Sequence, residues 1–250
     1  MKFKKHIRWV NGAWLSLLVA TLSGVLMMSQ AVPARADDRQ NATQLVDKAC
    51  MTLSNFMADK NMGAFRDLLK NARAVVIAPS LLKGAFIVGA SGGNAVAMIR
   101  EPNGQWSNPA FYTIGGASFG LQIGGQSSEV ILLAMTDRGM NALMSNSLKL
   151  GLGAGIAAGP VGVGAQAASA NISADILSFS RSKGLYGGVS LDGAVVAVRA
   201  SLNDAYYNQK VSPTDIFIRG IVKNPQTACL TQDLSKFAER NMPGELANAN

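Results

Sequence analysis

Between Val75 and Met135 glycine recurs at 84, 89, 92, 93, 115, 116, 120, 124 and 125, inside and between runs of apolar and β-branched residues. Glycine at this density breaks helices. Within strands it marks turns, bulges and places where one backbone approaches another closely. Such a chain is expected to form several short, strongly bent strands, as in a small closed sheet or barrel. The predicted strands are Ala74–Ala78, stopped by Pro79, then Gly84–Ala90 and Asn94–Arg100, separated by Ser91-Gly92-Gly93. Phe111–Ile123 and Glu129–Met135 follow, and later Asp175–Ser180, Leu185–Leu191 and Ala194–Arg199. Glu101-Pro102-Asn103-Gly104 and Ser190-Leu191-Asp192-Gly193 read as turns.

Helical periodicity brackets this region. Ala42, Leu45, Val46, Ala49, Cys50, Leu53, Phe56 and Met57 predict an amphipathic helix over residues 40–60. A short one follows over 64–71, with Phe65, Leu68 and Leu69 inward. Asp137–Met144 reads as a helix capped by Thr136 or Asp137. Ser212-Pro213-Thr214-Asp215 has the cap, first-turn proline and acidic residue that begin another, and a last helix is expected over 227–240. The Gly/Ala-rich stretch 148–170 fits either packed strands or a buried loop. Helices, many strands, then helices make an α+β fold: one β-rich domain, a small bent sheet or barrel, flanked by N-terminal and C-terminal helices.

The first 36 residues have the parts of a secretory signal: basic Lys2, Lys4, Lys5 and Arg8, an apolar run from Trp9 to Met28, and small-x-small at Ala34-Arg35-Ala36. Cleavage after Ala36 is expected, leaving a domain over 37–240 and a flexible tail over 241–250, in a periplasmic or secreted protein. An uncleaved anchor is the alternative. Removal of 1–36 takes five basic and no acidic residues, so the formal charge falls from +8 to +3. The high pI thus belongs largely to targeting, and nucleic acid is not an expected partner. In an oxidising compartment Cys50 and Cys229, the only cysteines, are expected to pair, the alternative being two buried thiols. No Cys/His metal site and no cofactor is expected.

Three motifs imitate catalytic or nucleotide sites. Gly116-Ala117-Ser118-Phe119-Gly120 fits the G-x-S-x-G nucleophile elbow. Its serine needs a base, and the one histidine, His6, lies in the expected leader. Ser80-Leu81-Leu82-Lys83 matches S-x-x-K without the companion S-D-N and K-T-G elements. Gly153-x-Gly155-x-x-Ala158, with Asp175 beyond, imitates a dinucleotide fingerprint, but no β-branched strand precedes it and Gly159-Pro160 breaks any helix after it. No enzymatic activity is expected. The cations Arg66, Lys70, Arg73 and Lys83 gather, in sequence, near the helix-to-sheet junction. They are the candidate contacts to anionic lipid headgroups, against the alternative of a solvated helix face.

Ala78-Pro79-Ser80-Leu81-Leu82-Lys83-Gly84-Ala85-Phe86-Ile87-Val88-Gly89-Ala90 resembles the opening of the SYLF domain, a lipid-binding family that includes yeast actin-associated proteins. The resemblance continues through Pro109-Ala110-Phe111-Tyr112, Gly115–Gln122, Gly124-Gly125-Gln126 and Val130–Thr136. It extends to Asp175–Ser180, Gly184–Leu191, Tyr206-Tyr207 and Val211–Ile216, covering most of residues 40–222. It implies a β-rich, non-catalytic domain that binds phospholipids. In a bacterial envelope the partners would be phosphatidylglycerol, cardiolipin or phosphatidic acid, met by peripheral membrane contact. The alternative function is a structural or protein-interaction module of the envelope.

Overall fold

The computed structural model describes residues 34–85, 88–119, 124–160, 174–182, 185–188 and 191–239. Most of the expected leader, the tail over 241–250, Gly120-Leu121-Gln122 and the second half of the Gly/Ala-rich stretch lie outside the described residues. The chain runs through α1 (Ala34–Ala58), a 3-10 turn at Lys60–Met62 and α2 (Gly63–Asn71). Four long strands follow: β1 (Ala74–Ala85), β2 (Val88–Ile99), β3 (Ala110–Phe119) and β4 (Gly124–Ala134). After α3 (Asp137–Ala142) come β5 (Ser147–Lys149), β6 (Ile156–Ala158), β7 (Ile176–Ser182), β8 (Leu185–Gly188) and β9 (Val195–Val198). The described chain closes with α4 (Ala200–Tyr207), α5 (Pro213–Phe217) and α6 (Ala228–Glu239).

Among the described residues the strands form one sheet, ordered β5-β9-β3-β2-β1-β4-β7-β6, with β8 on β7. Every pairing is antiparallel except β6 with β7. The sheet curls into a half-barrel, and the fold is the expected α+β arrangement. Alternation along each strand divides the core in two. Val75, Ile77, Val96, Met98, Ile131, Leu133 and Phe179 face outward. There α1 lays down Ala42, Val46, Ala49, Leu53 and Phe56, at alternating steps of four and three, together with Phe65 of α2 and Leu230 and Leu234 of α6. Phe65 bridges the layers, its ring 5.5 Å from Phe56 and 5.2 Å from Phe179. The concave face carries Ala74, Val76, Ala78, Ala95, Ala97, Ala110 and Tyr112, and is closed by Leu143, Leu148, Ile216 and Phe217. Small side chains suit it because curling crowds the inner surface.

The expected break at Pro79 is absent, because β1 runs on to Ala85. Its register against β4 shifts between Ala78 and Leu81, and against β2 between Ile77 and Leu82. A bulge tolerates proline, whose missing N–H costs no ladder bond there. For the same reason Ser91-Gly92-Gly93 lies inside β2. A Cβ on Gly93 would stand 2.2 Å from the Ser80 carbonyl oxygen, so the bulge needs glycine at the facing position. The undecided 148–160 region proves to be two short edge strands joined by a turn at Gly151, φ +85°. The helix α4 has no counterpart among the predicted elements. Its anchor is Asn203, whose buried amide accepts from Phe111 N–H at 2.9 Å and donates to the Phe111 carbonyl at 3.4 Å, pairing helix to strand as a ladder residue would.

The termini of the domain are stapled. Cys50 of α1 and Cys229 of α6 form a disulfide with Cα atoms 6.2 Å apart, as the compartment and even count predicted.

Candidate functional site

The three enzyme-like motifs are resolved by strand geometry. Ser118 lies within β3, its backbone opposite Gly89 of β2, and the next described element is the strand β4, not a helix. Ser80 and Lys83 are three residues apart on β1 and point to opposite faces. The Ser80 hydroxyl meets the Ser127 hydroxyl at 3.0 Å, while Lys83 lines the concave side. That pair cannot act as nucleophile and base. Gly153 and Gly155 precede strand β6, not a helix. Cys50, Cys229 and Asp233 lie close enough to suggest a metal-ligand trio. Both sulfurs are spent in the disulfide, which leaves a single carboxylate.

The antiparallel register gives the half-barrel two poles. Ala74 pairs with Ile99 and Ala134, and Ala97 with Ala110, so Arg73, Arg100, Asn108 and Met135 share one pole. The facing ends of β1 and β2 and of β7 and β8, with the end of β3 and the start of β4, form the other, the hairpin pole.

The four predicted cations do not come together as one patch. Arg66 turns back on the end of α1, where its Nη1 donates to the carbonyls of Asp59 at 2.6 Å and Met57 at 3.2 Å. Lys70 pairs with Asp67 at 2.8 Å, and Arg73 with Asp137 at 3.1 Å. Lys83 is ten residues along β1 from Arg73, about 33 Å at ~3.3 Å per residue, and stands at the hairpin pole.

The first pole also carries a feature that the sequence alone does not show. Ser212 caps α5, as its residues predicted, and Asp215 returns the bond to make a reciprocal capping box. Ile216 and Phe217 at the end of α5, and Val222 beyond it, are buried in the concave core, which pulls the chain tight. The residues between are forced outward. Ile218 and Ile221 are 59% and 58% exposed, next to Arg219 and Lys223. Arg219 pairs with Asp215 at 2.9 Å, and Asn224 N–H donates to Asn108 Oδ1 at 3.3 Å, fixing the loop beside the start of β3. Ile-Arg-Gly-Ile-Val-Lys carries no sign of this in the sequence, because which apolar residues lie outward depends on where α5 docks.

Below Arg73 the pole is tied together by Asp175. Its carboxylate accepts from the Thr136 hydroxyl at 2.6 Å and from Gly155 N–H at 2.9 Å, with Arg138 at 3.7 Å. These donors, Thr136 foremost, hold its carboxyl below the usual carboxylate range.

No helix among the described residues is long and apolar enough to cross a membrane.

Residues 115–237 match the model of the Ysc84 family, described as Las17-binding protein actin regulator. The bovine (Bos taurus) SH3 domain-containing YSC84-like protein 1 is 31% identical over 173 residues, 68% of this chain and 51% of that protein. Its human (Homo sapiens) counterpart is 31% identical over 163 residues, 64% of this chain and 48% of that protein. The LAS seventeen-binding protein 3 of Saccharomyces cerevisiae is 28% identical over 163 residues, 64% of this chain and 35% of that protein. The chain spans about half the length of the first two relatives and about a third of the third. These matches show that residues 115–237 carry a domain of the Ysc84 family, the one the sequence resemblance names SYLF.

Proposed function

We propose that this domain docks, without catalysis, on anionic phospholipid surfaces of a bacterial envelope, as a periplasmic or secreted protein. The observation that carries the reading is the exposed loop 218–223, where Ile218 and Ile221 project beside Arg219 and Lys223 on the pole that also bears Arg73. Apolar side chains flanked by cations suit the headgroup–acyl boundary. Each cation near such a surface contributes roughly 1 kcal/mol. The ion pairs that now hold Arg73 and Arg219 are surface pairs worth about 0–1 kcal/mol, weak enough to exchange a carboxylate for a lipid phosphate.

Vesicle sedimentation tests this. Retention should be stronger on phosphatidylglycerol-containing vesicles than on phosphatidylcholine, and should fall as salt rises. Ile218→Ser with Ile221→Ser should lower the bound fraction severalfold. Exchange of Arg66, Lys70, Arg73 and Lys83 together for Gln should do the same, and Arg73→Gln alone should cost more than Lys83→Gln if the loop pole faces the membrane. Equal retention on neutral and anionic vesicles overturns the reading.

Protein docking is the second reading, favoured by the family's description as a Las17-binding actin regulator. Crosslinking that recovers a protein partner, with no retention on any vesicle, would select it.

A further inference from the structure

The hairpin pole holds a groove that membrane docking at the opposite pole leaves unused. Along the concave face the side chains are mainly apolar as far as Leu81 and Val130, buried Ser178 apart, and then turn polar in register. Lys83 of β1 lies opposite Ser91 of β2 and Gln126 of β4, and Ser91 lies opposite Gly116 of β3. Val130 lies opposite Ser180 of β7, and Gln126 Nε2 donates to the Ser182 hydroxyl at 2.5 Å. A polar row thus crosses the curled sheet above a floor that includes buried Leu81, Val130, Leu191 and Ala194. The turn that carries Asp192 borders the remaining side, and the partly open groove has a volume of about 210 Å³.

Gly116 shows that the closure is a fitted one. A Cβ there would press on Ser91 Oγ at 3.3 Å and on the Ala194 Cβ at 3.4 Å. Glycine therefore lets the Asp192 turn sit against the row. Lys83 and Asp192 are both exposed in the groove, and neither joins an ion pair among the described residues.

The donor set selects the ligand. One ammonium provides for one anionic group. Serine hydroxyls donate and accept, the glutamine amide does both, and the carboxylate accepts from hydroxyls. Among the described residues no aromatic side chain lines the groove, and they offer a sugar ring no stacking platform. The volume is below the roughly 300–1,000 Å³ of drug-sized pockets, which restricts the ligand to a few heavy atoms beyond a phosphate. We propose that this groove binds a small polyol phosphate, with Lys83 on the phosphate and the serines, Gln126 and Asp192 on the hydroxyls. The inference does not rest on membrane docking. The same chemistry occurs free in solution and in a glycerol-phosphate lipid headgroup.

Titration of the full chain by amide-resolved NMR separates the possibilities. Glycerol 3-phosphate should shift the amides of Lys83, Ser91, Ser128 and Ser180 saturably. Lys83→Gln should weaken binding about tenfold, the scale of one lost charge-assisted contact. Asp192→Asn should weaken glycerol phosphate and leave inorganic phosphate unchanged. Saturation by glycerol phosphate but not by short-chain phosphatidylglycerol below its micelle concentration assigns a soluble ligand. Saturation by both assigns the lipid headgroup as a source. Inorganic phosphate binding as tightly as glycerol phosphate overturns the polyol assignment, and an absence of shifts at these residues, or unchanged affinity in Lys83→Gln, overturns the site. No membrane is present in the titration, so failure of vesicle binding and failure of this groove are separate results.

Discussion

At Gly93 the facing backbone leaves no room for a side chain. The Cβ of Gly93→Ala would stand 2.2 Å from a backbone carbonyl oxygen in the facing bulge, so β1 and β2 must part. A cost of about 1–3 kcal/mol is expected, seen as a lower urea midpoint at unchanged slope. Gly92→Ala is the control, since its nearest atom is 3.9 Å away. Asp175 sets an acid limit. Its carboxyl titrates lower in the folded than in the unfolded chain, so the unfolded chain takes up the proton first as pH falls. Its stabilisation is fully present above about pH 4 and is lost as the pH falls through the lowered folded value. Asp175→Asn should flatten that part of the acid limb in thermal melts recorded across pH.

At the scale of elements, the disulfide and the caps carry the testable weight. The Cys50–Cys229 bridge closes a loop of nearly the whole domain. Reduction, or Cys50→Ser with Cys229→Ser, should cost roughly 2–5 kcal/mol, most visibly as a fall in Tm in the presence of reductant. The capping box of α5 is more local. Ser212→Ala should cost about 1 kcal/mol and loosen the loop 218–223, read as faster amide exchange there. Helices α1, α2 and α6 were readable from apolar spacing, and α5 from its cap. By contrast α4 was not predicted: its buried stripe is only Leu202, Ala205 and Tyr206, within eight residues, and it is completed by an asparagine bonded to β3. Pro79 misled for a related reason. A proline ends a regular strand, but a bulge facing Gly93 lets the strand continue.

The molecule as a whole has two ends with different chemistry. The loop pole offers exposed isoleucines and cations, and the hairpin pole a polar groove around Lys83. Placing Lys83 with Arg66, Lys70 and Arg73 was reasonable along the chain, since all four lie within eighteen residues. A strand separates what a helix would have kept together, because it advances about 3.3 Å per residue against about 1.5 Å in a helix. Strand alternation, reset by the bulge between Ala78 and Leu81, puts Ser80 and Lys83 on opposite faces. What the residues determined unaided was the local grammar: helix stripes, caps, glycine-bent strands, an even pair of cysteines, and a family pattern spread over most of the domain. These depend on neighbours three or four positions away or on an ordered series of motifs. Only the tertiary structure decided which apolar residues the loop exposes, which polar side chains meet across the curled sheet, and which cations share a pole. Those outcomes depend on register and curl, through which residues far apart in sequence become opposite neighbours.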